Sequence, residues 1–428
     1  MISDTSKEMY DYLSYLSVEE KEELKKEMNT GKVNKGFVLS LKAKSVILPF
    51  LSLKQDEVDP YLFFYDEDID SPGRSIFHEL GAYYIMDPSS DVVIKNLPAV
   101  KNELVLDMCA APGGKTISYA MRNKDAVIIA NDISYSRAFE LKKNVERMGL
   151  ANVIVTSLPP SYFIKNFSSV FSVVILDAPC SGTGMFRKDE DVKRDWSIEK
   201  TRRLLPIQND LIEIGYQLLK KGGYLSYSTC SFLKEEDDDI SSAFKKRHPD
   251  MCSVKLISEE GFFFGEDDSV YLLPSRYKKG EGHYISLMRK AGDEKRSFSY
   301  TKCEYDKILE LYKADYKNQM CALPFFDDLF FSLDNVLKMG VTITSDEKYP
   351  KCIYHHSLSH YLSSDKSIKL NYDEAIRFVN GEELENRFKH EDGLVLLSYN
   401  GLNISFGKVV KNRIKNYYPK WLRKKIKE

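Results

Sequence analysis

Two cysteines stand where they can do chemistry: Cys180 in DAPCSG and Cys230 in YSTCS, each directly after a short strand-like run. A lone free cysteine is usually a small buried hydrophobe. Two at strand ends are different, because the carboxyl ends of parallel strands share one edge and both thiols then face one cleft. The reactive form is the thiolate, whose formation is helped by helix N-termini and nearby cations. Arg187, Lys188 and the helix after Cys230 are the candidates for that help. No histidine stands in motif spacing to either cysteine, which argues against a protease-type pair.

A ligand site lies upstream in ELVLDMCAAPGGKT. The run ELVLDMC delivers Asp107 to the strand edge, and Ala110, Ala111, Pro112, Gly113 and Gly114 form a turn without bulk, so backbone can approach a ligand closely. Lys115 and Thr116 open the next helix. A phosphate-binding P-loop needs glycine where Cys109 stands, and Pro112 breaks the spaced glycines of a dinucleotide fingerprint. The next strand, AVIIAND, ends at Asp132, 25 residues after Asp107, where an acid can accept hydrogen bonds from both hydroxyls of a ribose. Asp132 could instead cap the helix beginning near Ser134. Beside the Asp107 turn, the ribose reading is preferred. A ribose without a phosphate grip fits S-adenosylmethionine.

Thiols beside a methyl donor suit methylation of a pyrimidine carbon. Carbon 5 of cytosine becomes nucleophilic only after a thiolate adds to carbon 6, with the ring nitrogen protonated or hydrogen-bonded to hold the negative charge. Asp177, at the end of SVVILD, is the candidate acid. A base must then take the proton from carbon 5 so that the first thiol can leave, and Cys180 is a candidate to assist. Chemistry alone does not decide which thiol attacks.

These residues need a parallel sheet to bring them together. ELVLDMC, AVIIAND, NVIVTS, SVVILDAP and GGYLSYSTC are β-branched runs alternating with helical stretches such as SYSRAFELKKNVERMG and FLKEEDDDISSAFKKR, the pattern of a sheet covered on both faces. YLLPSRY and HYISLMRK read as a closing pair. Before this core, VEEKEELKKEM has helical spacing and GFVLSLKAKSVILPFL is apolar, predicting a small mixed α/β domain. After about Ala291, ILELYKADY reads as helix and GLVLLSYNGLNISFGKVV as strands. The expected division is an N-terminal α/β domain of RNA-binding type over 1–76, a catalytic domain over 77–291, a connecting module over 292–375 and a terminal module over 376–428.

Composition sets the class. At 428 residues the chain exceeds one usual core, and 43% apolar with 29% charged residues describes an ordinary globular protein. Its apolar runs are far shorter than the roughly 20 residues of a membrane span. The start MISDTSKEMYDYL has no secretion-signal pattern, so a cytoplasmic location is expected. Seven scattered cysteines without CxxC spacing indicate reduced thiols and no metal site. A net charge of −2 argues against indiscriminate coating of nucleic acid, but from Lys408 onward nine Lys or Arg stand against one Glu. Tyr417, Tyr418 and Trp421 are interleaved there, offering rings on which bases stack while cations hold phosphates.

Taken together, DMCAAPGGKT, DAPCSGTGMFRKD and YSTCSFLKEEDDD resemble the Nop/Sun family of RNA cytosine-5 methyltransferases, most closely its bacterial RsmF-type (YebU-like) ribosomal RNA branch. HELGAYYIMDPSS is similar to the family's lead-in segment and KGEGHYISLMRK to its closing strand. GKVVKNRIKNYYPKWLRKK looks like the RNA-binding PUA-like module of RsmF-type enzymes. The resemblance implies a Rossmann-like α/β S-adenosylmethionine-dependent core, a parallel sheet with an antiparallel closing strand, acting on 16S rRNA. It also implies a division of labour, with Cys230 as nucleophile and Cys180 aiding release. Ala110, Ala111, Pro112, Gly113, Gly114 and Lys115 would hold the methionine end of the cofactor, Asp132 the ribose, and Asp177 the active-site edge. Two departures stand out: the acid that many relatives carry after the third strand is replaced by Ser157, Pro159 and Pro160, and the family's GWGK reads SFGK, with Ser405 and Phe406. Rival readings are a non-catalytic ribosome assembly factor, a tRNA methyltransferase, or an enzyme acting on DNA or a small molecule. Nothing in the sequence demands more than a monomer.

Overall fold

The computed structural model describes residues 9–29, 33–295, 303–344, 354–423 and 426. The first eight residues, on which the absence of a leader was read, and Lys424, Lys425 and Lys427 of the basic tail lie outside this set.

Alternate side chains of the central strands explain the layers. In β5 (Leu104–Asp107), Leu104 and Leu106 enter one apolar core while Val105 enters another. In β6 (Val127–Asn131), Val127 and Ile129 join the first and Ile128 and Ala130 the second. β7 (Val153–Thr156) and β8 (Phe171–Asp177) divide in the same way, so the sheet is buried on both faces. Slipping one strand by a residue would exchange its two sets, each buried side chain being worth roughly 1.5–3 kcal/mol. β9 (Leu219–Thr229) follows the long helix Ile198–Leu218.

These five strands are parallel, in the order β7, β6, β5, β8, β9. Chain order reverses between β5 and β8, the switch point at which α/β folds bind ligands. The closing pair is present: β10 (Met251–Ser253) and β12 (Val270–Leu272) both run antiparallel to β13 (His283–Lys290), which runs antiparallel to β9, and β11 (Phe263–Phe264) extends β12.

The segment before β5 mixes helix and strand, with Tyr83–Met86, beyond residue 76, joining its sheet. Helix Val18–Asn29 precedes an antiparallel sheet of β1 (Lys35–Leu39), β2 (Lys54–Gln55), β3 (Leu62–Tyr65) and β4 (Tyr83–Met86). After the core, β14 (Glu304–Asp306), β15 (Leu311–Tyr316), β16 (Gln319–Leu323) and β18 (Val341–Thr342) form a small sheet. The intervening β17 (Val336–Met339) leaves that sheet and pairs with β7, covering the open edge of the central sheet. In ILELYKADY, Leu311–Tyr316 is therefore strand rather than helix, after a turn at Ile308 to Glu310. Lys317 and Asn318, both at positive φ, turn β15 back onto β16, and a hairpin buries Leu311, Ala314 and Tyr316 where an isolated helix would not.

The last sheet has the order β19 (Ile368–Lys369), β21 (Gly393–Tyr399), β22 (Leu402–Val410), β23 (Arg413–Asn416) and β20 (Leu384–Glu385). Lys408, Lys411, Arg413 and Lys415 are exposed on it. Tyr418 is not available for base stacking: it is 3% exposed and packs edge-on against His356. Ser405 and Phe406 are also buried. Trp421 keeps 36% of its surface and lies beside Phe139 and Lys142 of the helix Tyr135–Met148. Among the described residues, no helix is long and apolar enough to cross a membrane, and no cluster of His, Cys, Asp and Glu is poised to hold a metal.

Candidate active site

The turn after β5 is shaped by Gly113. Its φ of 117° is open to glycine, and a Cβ there would lie 2.8 Å from Leu141 Cδ1. Gly113 caps the helix Gly114–Arg122, whose first turn carries Lys115 into the interior. A cavity of about 200 Å³ opens beside it, lined by Ala110, Ala111, Pro112, Gly114 and Lys115 together with Asp107, Asp177 and Cys109. Burial pushes the Cys109 thiol up, so it stays protonated.

Two carboxylates at this edge keep an unused oxygen. Asp107 Oδ2 accepts from Thr116 Oγ1 (2.6 Å), whereas its buried Oδ1 has no hydrogen-bond partner. Burial, with the Asp177 charge adding, lifts the Asp107 carboxyl to about 7 against the Thr116 bond. Asp132, at the end of β6, accepts from Ser134 N through Oδ1 (2.9 Å), and its buried Oδ2 has no hydrogen bond, with Arg137 3.6 Å away. Asp132 thus braces the turn before the helix, whose N-cap is Ser134, rather than capping the helix itself. Buried acceptors without partners are uncommon. Asp107 Oδ1 is one, whereas Asp132 Oδ2, on the adjacent strand end, has the Arg137 ion pair but no hydrogen bond.

The thiols meet at the neighbouring strand ends. Asp177 of β8 pairs in register with Ser228 of β9, so Cys180 and Cys230, three and two residues further on, emerge together. Their Sγ atoms are 3.2 Å apart. Gly184 N donates to Cys230 O (2.8 Å), and Thr183 Oγ1 accepts from Phe232 N (2.8 Å), fastening the two loops. Asp177 lines the cavity: Lys115 Nζ lies 2.8 Å from its Oδ2, and Ser228 Oγ, two residues before Cys230, donates to its Oδ1 (3.1 Å). Burial alone would raise the Asp177 carboxyl, but the Lys115 ammonium and His283 outweigh it and hold the group below the usual carboxylate range. Its side chain keeps 37% of its surface, so a ligand can reach it.

The family model described as 16S rRNA methyltransferase RsmB/F matches residues 94–289, and that of the RsmF PUA domain matches 365–424. A ribosomal RNA small subunit methyltransferase F from Shewanella piezotolerans is 30% identical over 387 residues, covering 81% of this chain and 80% of its own length. The chain belongs to the RsmB/F family of 16S rRNA methyltransferases. The enzyme of the same description from Vibrio cholerae is 28% identical, covering 83% of this chain and 82% of its own length. A solved methyltransferase homologue from Pyrococcus horikoshii superposes with a TM-score of 0.55 at 26% identity, over 66% of this chain and 93% of its own. NSun6 from the same organism shares the fold, with a TM-score of 0.56 at 18% identity over 67% and 98%. Membership makes the chain an S-adenosylmethionine-dependent methyltransferase of ribosomal RNA.

Within this RsmB/F site, the expected cationic help for the thiols is not where the sequence suggested. Arg187 turns to Glu281 (3.2 Å) and Glu27 (3.5 Å), Lys188 lines the cavity instead, and the helix after Cys230 begins only at Asp238, among acids. The contact with Cys230, then burial, then the Cys230 and Glu236 charges push the Cys180 thiol well up. In the contact itself either sulfur can donate the S–H. His283 was missed by sequence reasoning. It opens β13, whose antiparallel pairing with β9 brings its first residues to the thiol edge, and its Nε2 lies 3.5 Å from Asp177 Oδ1. Burial and Lys115 push His283 down, so it stays neutral. The HYISLMRK pattern announced the strand, and only the register announced the histidine.

Proposed function

We propose that this methyltransferase acts on carbon 5 of a cytosine in 16S rRNA through a covalent adduct with Cys230. The observation that carries the reading is the pair of Sγ atoms 3.2 Å apart at the same sheet edge as Asp177, which lines the cavity beside Lys115. A target inside a duplex must be extruded to reach them. The Cys230 sulfur adds to carbon 6 as its proton passes through water to the ring nitrogen, and the ring electrons move onto carbon 5. S-adenosylmethionine supplies the electrophilic methyl group. Asp177 is held ionised, so it accepts a hydrogen bond from a protonated ring nitrogen or the exocyclic amine rather than donating one, and the beside-lying Lys115 ammonium is the donor. The proton on carbon 5 is then taken up by water, the sulfur–carbon bond breaks with its electron pair returning to Cys230, and the Cys180 thiol assists by donating its S–H to the departing sulfur.

Ala110 to Lys115 hold the methionine end in this reading, and Asp132 Oδ2 accepts from the ribose. The basic residues exposed on β22 and β23 contribute RNA contacts. Labelled S-adenosylmethionine offered with 16S rRNA, small subunits, tRNA or DNA tests the assignment. Label in 5-methylcytosine of 16S rRNA, located by bisulfite sequencing, is the expected result, and label confined to another base or to tRNA overturns it.

Asp107 gives the cofactor step a pH dependence. Its carboxyl titrates near 7 when folded but near 3.8 when free. The native state therefore holds an extra proton between those values, and the Asp107 contribution makes stability fall as pH rises through that window. S-adenosylmethionine carries net positive charge and favours the carboxylate. Cofactor affinity is therefore expected to rise from pH 6 to pH 8 with release of a proton, measured by calorimetry in buffers of different ionisation enthalpy. An Asp107→Asn variant that keeps the same slope and proton release contradicts the assignment.

A further inference from the structure

Behind the two thiols lies a carboxylate that the steps above do not use. Glu236 follows Cys230 by six residues and is 0% exposed. Its Oε1 accepts from Ser181 N (2.9 Å) and Gln208 Nε2 (3.0 Å), and its Oε2 accepts from Ser181 Oγ (2.5 Å). Gln208, on the long helix Ile198–Leu218, also donates to Pro179 O (2.9 Å). Both neighbours of Cys180 are thus tied to one two-residue clamp. The clamp is itself fixed: Tyr227 OH donates to Glu236 O (2.6 Å), and Ser181 Oγ lies 3.4 Å from Ser231 Oγ, the residue after Cys230. Burial pushes the Glu236 carboxyl up, and the Ser181, Ser231 and Gln208 bonds draw it down. A buried carboxylate is costly, and an apolar side chain would fill the same space more cheaply. Folding alone does not account for an acid here, whereas the need to hold a glycine-rich loop in register does.

We propose that Glu236 is a positioning residue for the release step. Through Ser181, with Gln208 holding Pro179, it keeps Cys180 Sγ within 3.2 Å of Cys230 Sγ. This rests on the roles proposed for the two thiols. Glu236 touches neither thiol in this role and exchanges no proton with substrate. A glutamine has the same shape: its oxygen can accept from Ser181 N and Gln208, and its amide can donate to Ser181 Oγ.

The test compares full-length wild type, Glu236→Ala, Glu236→Gln and Ser181→Ala with 16S rRNA and S-adenosylmethionine, using Cys180→Ala as reference. Glu236→Ala is expected to lose about 10- to 100-fold in turnover, the scale of an ångström-level misplacement, with KM for RNA nearly unchanged. It should also accumulate the covalent protein–RNA band that Cys180→Ala shows. Glu236→Gln should recover turnover to within about threefold of wild type, and Ser181→Ala, lacking one bond of the clamp, should fall between. A merely structural role predicts lost activity and a lowered melting temperature without the band, and that result overturns the proposal. Normal turnover in Glu236→Ala, or Glu236→Gln as impaired as Glu236→Ala, overturns it too. If Cys180→Ala forms no band, the release role of Cys180 fails and this inference falls with it. If Cys180→Ala forms the band and Glu236→Ala does not, this inference fails alone.

Discussion

Cys230→Ala is expected to abolish methyl transfer, lowering the single-turnover rate by roughly 10⁴-fold or more, as removal of a covalent nucleophile does elsewhere. Carbon 5 of cytosine has no nucleophilic character until sulfur adds to carbon 6, so without that sulfur the bound cofactor faces an inert carbon. Cys180 cannot take over. With Cys230 gone, burial and the Glu236 charge still push the Cys180 thiol up. The variant should bind S-adenosylmethionine as wild type does, because Cys230 lines none of the cofactor cavity. RNA carrying 5-fluorocytosine at the target sharpens the measurement. Fluorine cannot leave carbon 5 as a proton does, so wild type should be trapped as a stable adduct and Cys230→Ala should remain free. Trapping of Cys230→Ala, or retained methylation by it, would falsify the nucleophile assignment.

Much of this site was legible in the chain because it depends on backbone. Strand ends are marked by β-branched runs that stop at Asp107, Asp132 and Asp177, and a parallel sheet has one carboxyl edge, so residues 70 apart in sequence become neighbours. What the sequence did not disclose depends on side-chain partners. Arg187 looked like a cation for the thiols, yet Glu281 and Glu27, which no local pattern connects to it, claim it. Tyr418 looked like a stacking platform in a basic tail, but the last sheet buries it against His356. His283 and Glu236 were invisible for the same reason: their roles exist only once β13 lies against β9 and Ser181 lies over the turn after Cys230. The strand Leu311–Tyr316 escaped because its apolar spacing suits a helix as well, and the hairpin turn at Lys317 and Asn318 decided it.

Cys180→Ala should separate methyl transfer from release. With Cys230 intact, sulfur still adds to carbon 6 and the methyl group still arrives, so the first turnover should slow by less than about 10-fold, the cost of one lost S–H contact to the attacking sulfur. The product then carries both a methyl and a hydrogen on carbon 5, and the Cys230–carbon 6 bond cannot break until that hydrogen leaves as a proton. Losing the group that assists this step should lower steady-state turnover by about 10²- to 10⁴-fold, the usual range for general acid–base assistance. The enzyme should therefore accumulate as a methylated adduct, visible as a slow band on denaturing gels, with about one labelled methyl per protein. The double variant Cys180→Ala/Cys230→Ala should give no band, which ties the bond to Cys230 rather than to Cys109, whose burial keeps it protonated. Normal turnover by Cys180→Ala without an adduct would remove Cys180 from the release step, leaving its 3.2 Å contact with Cys230 as a means of steadying the attacking sulfur only.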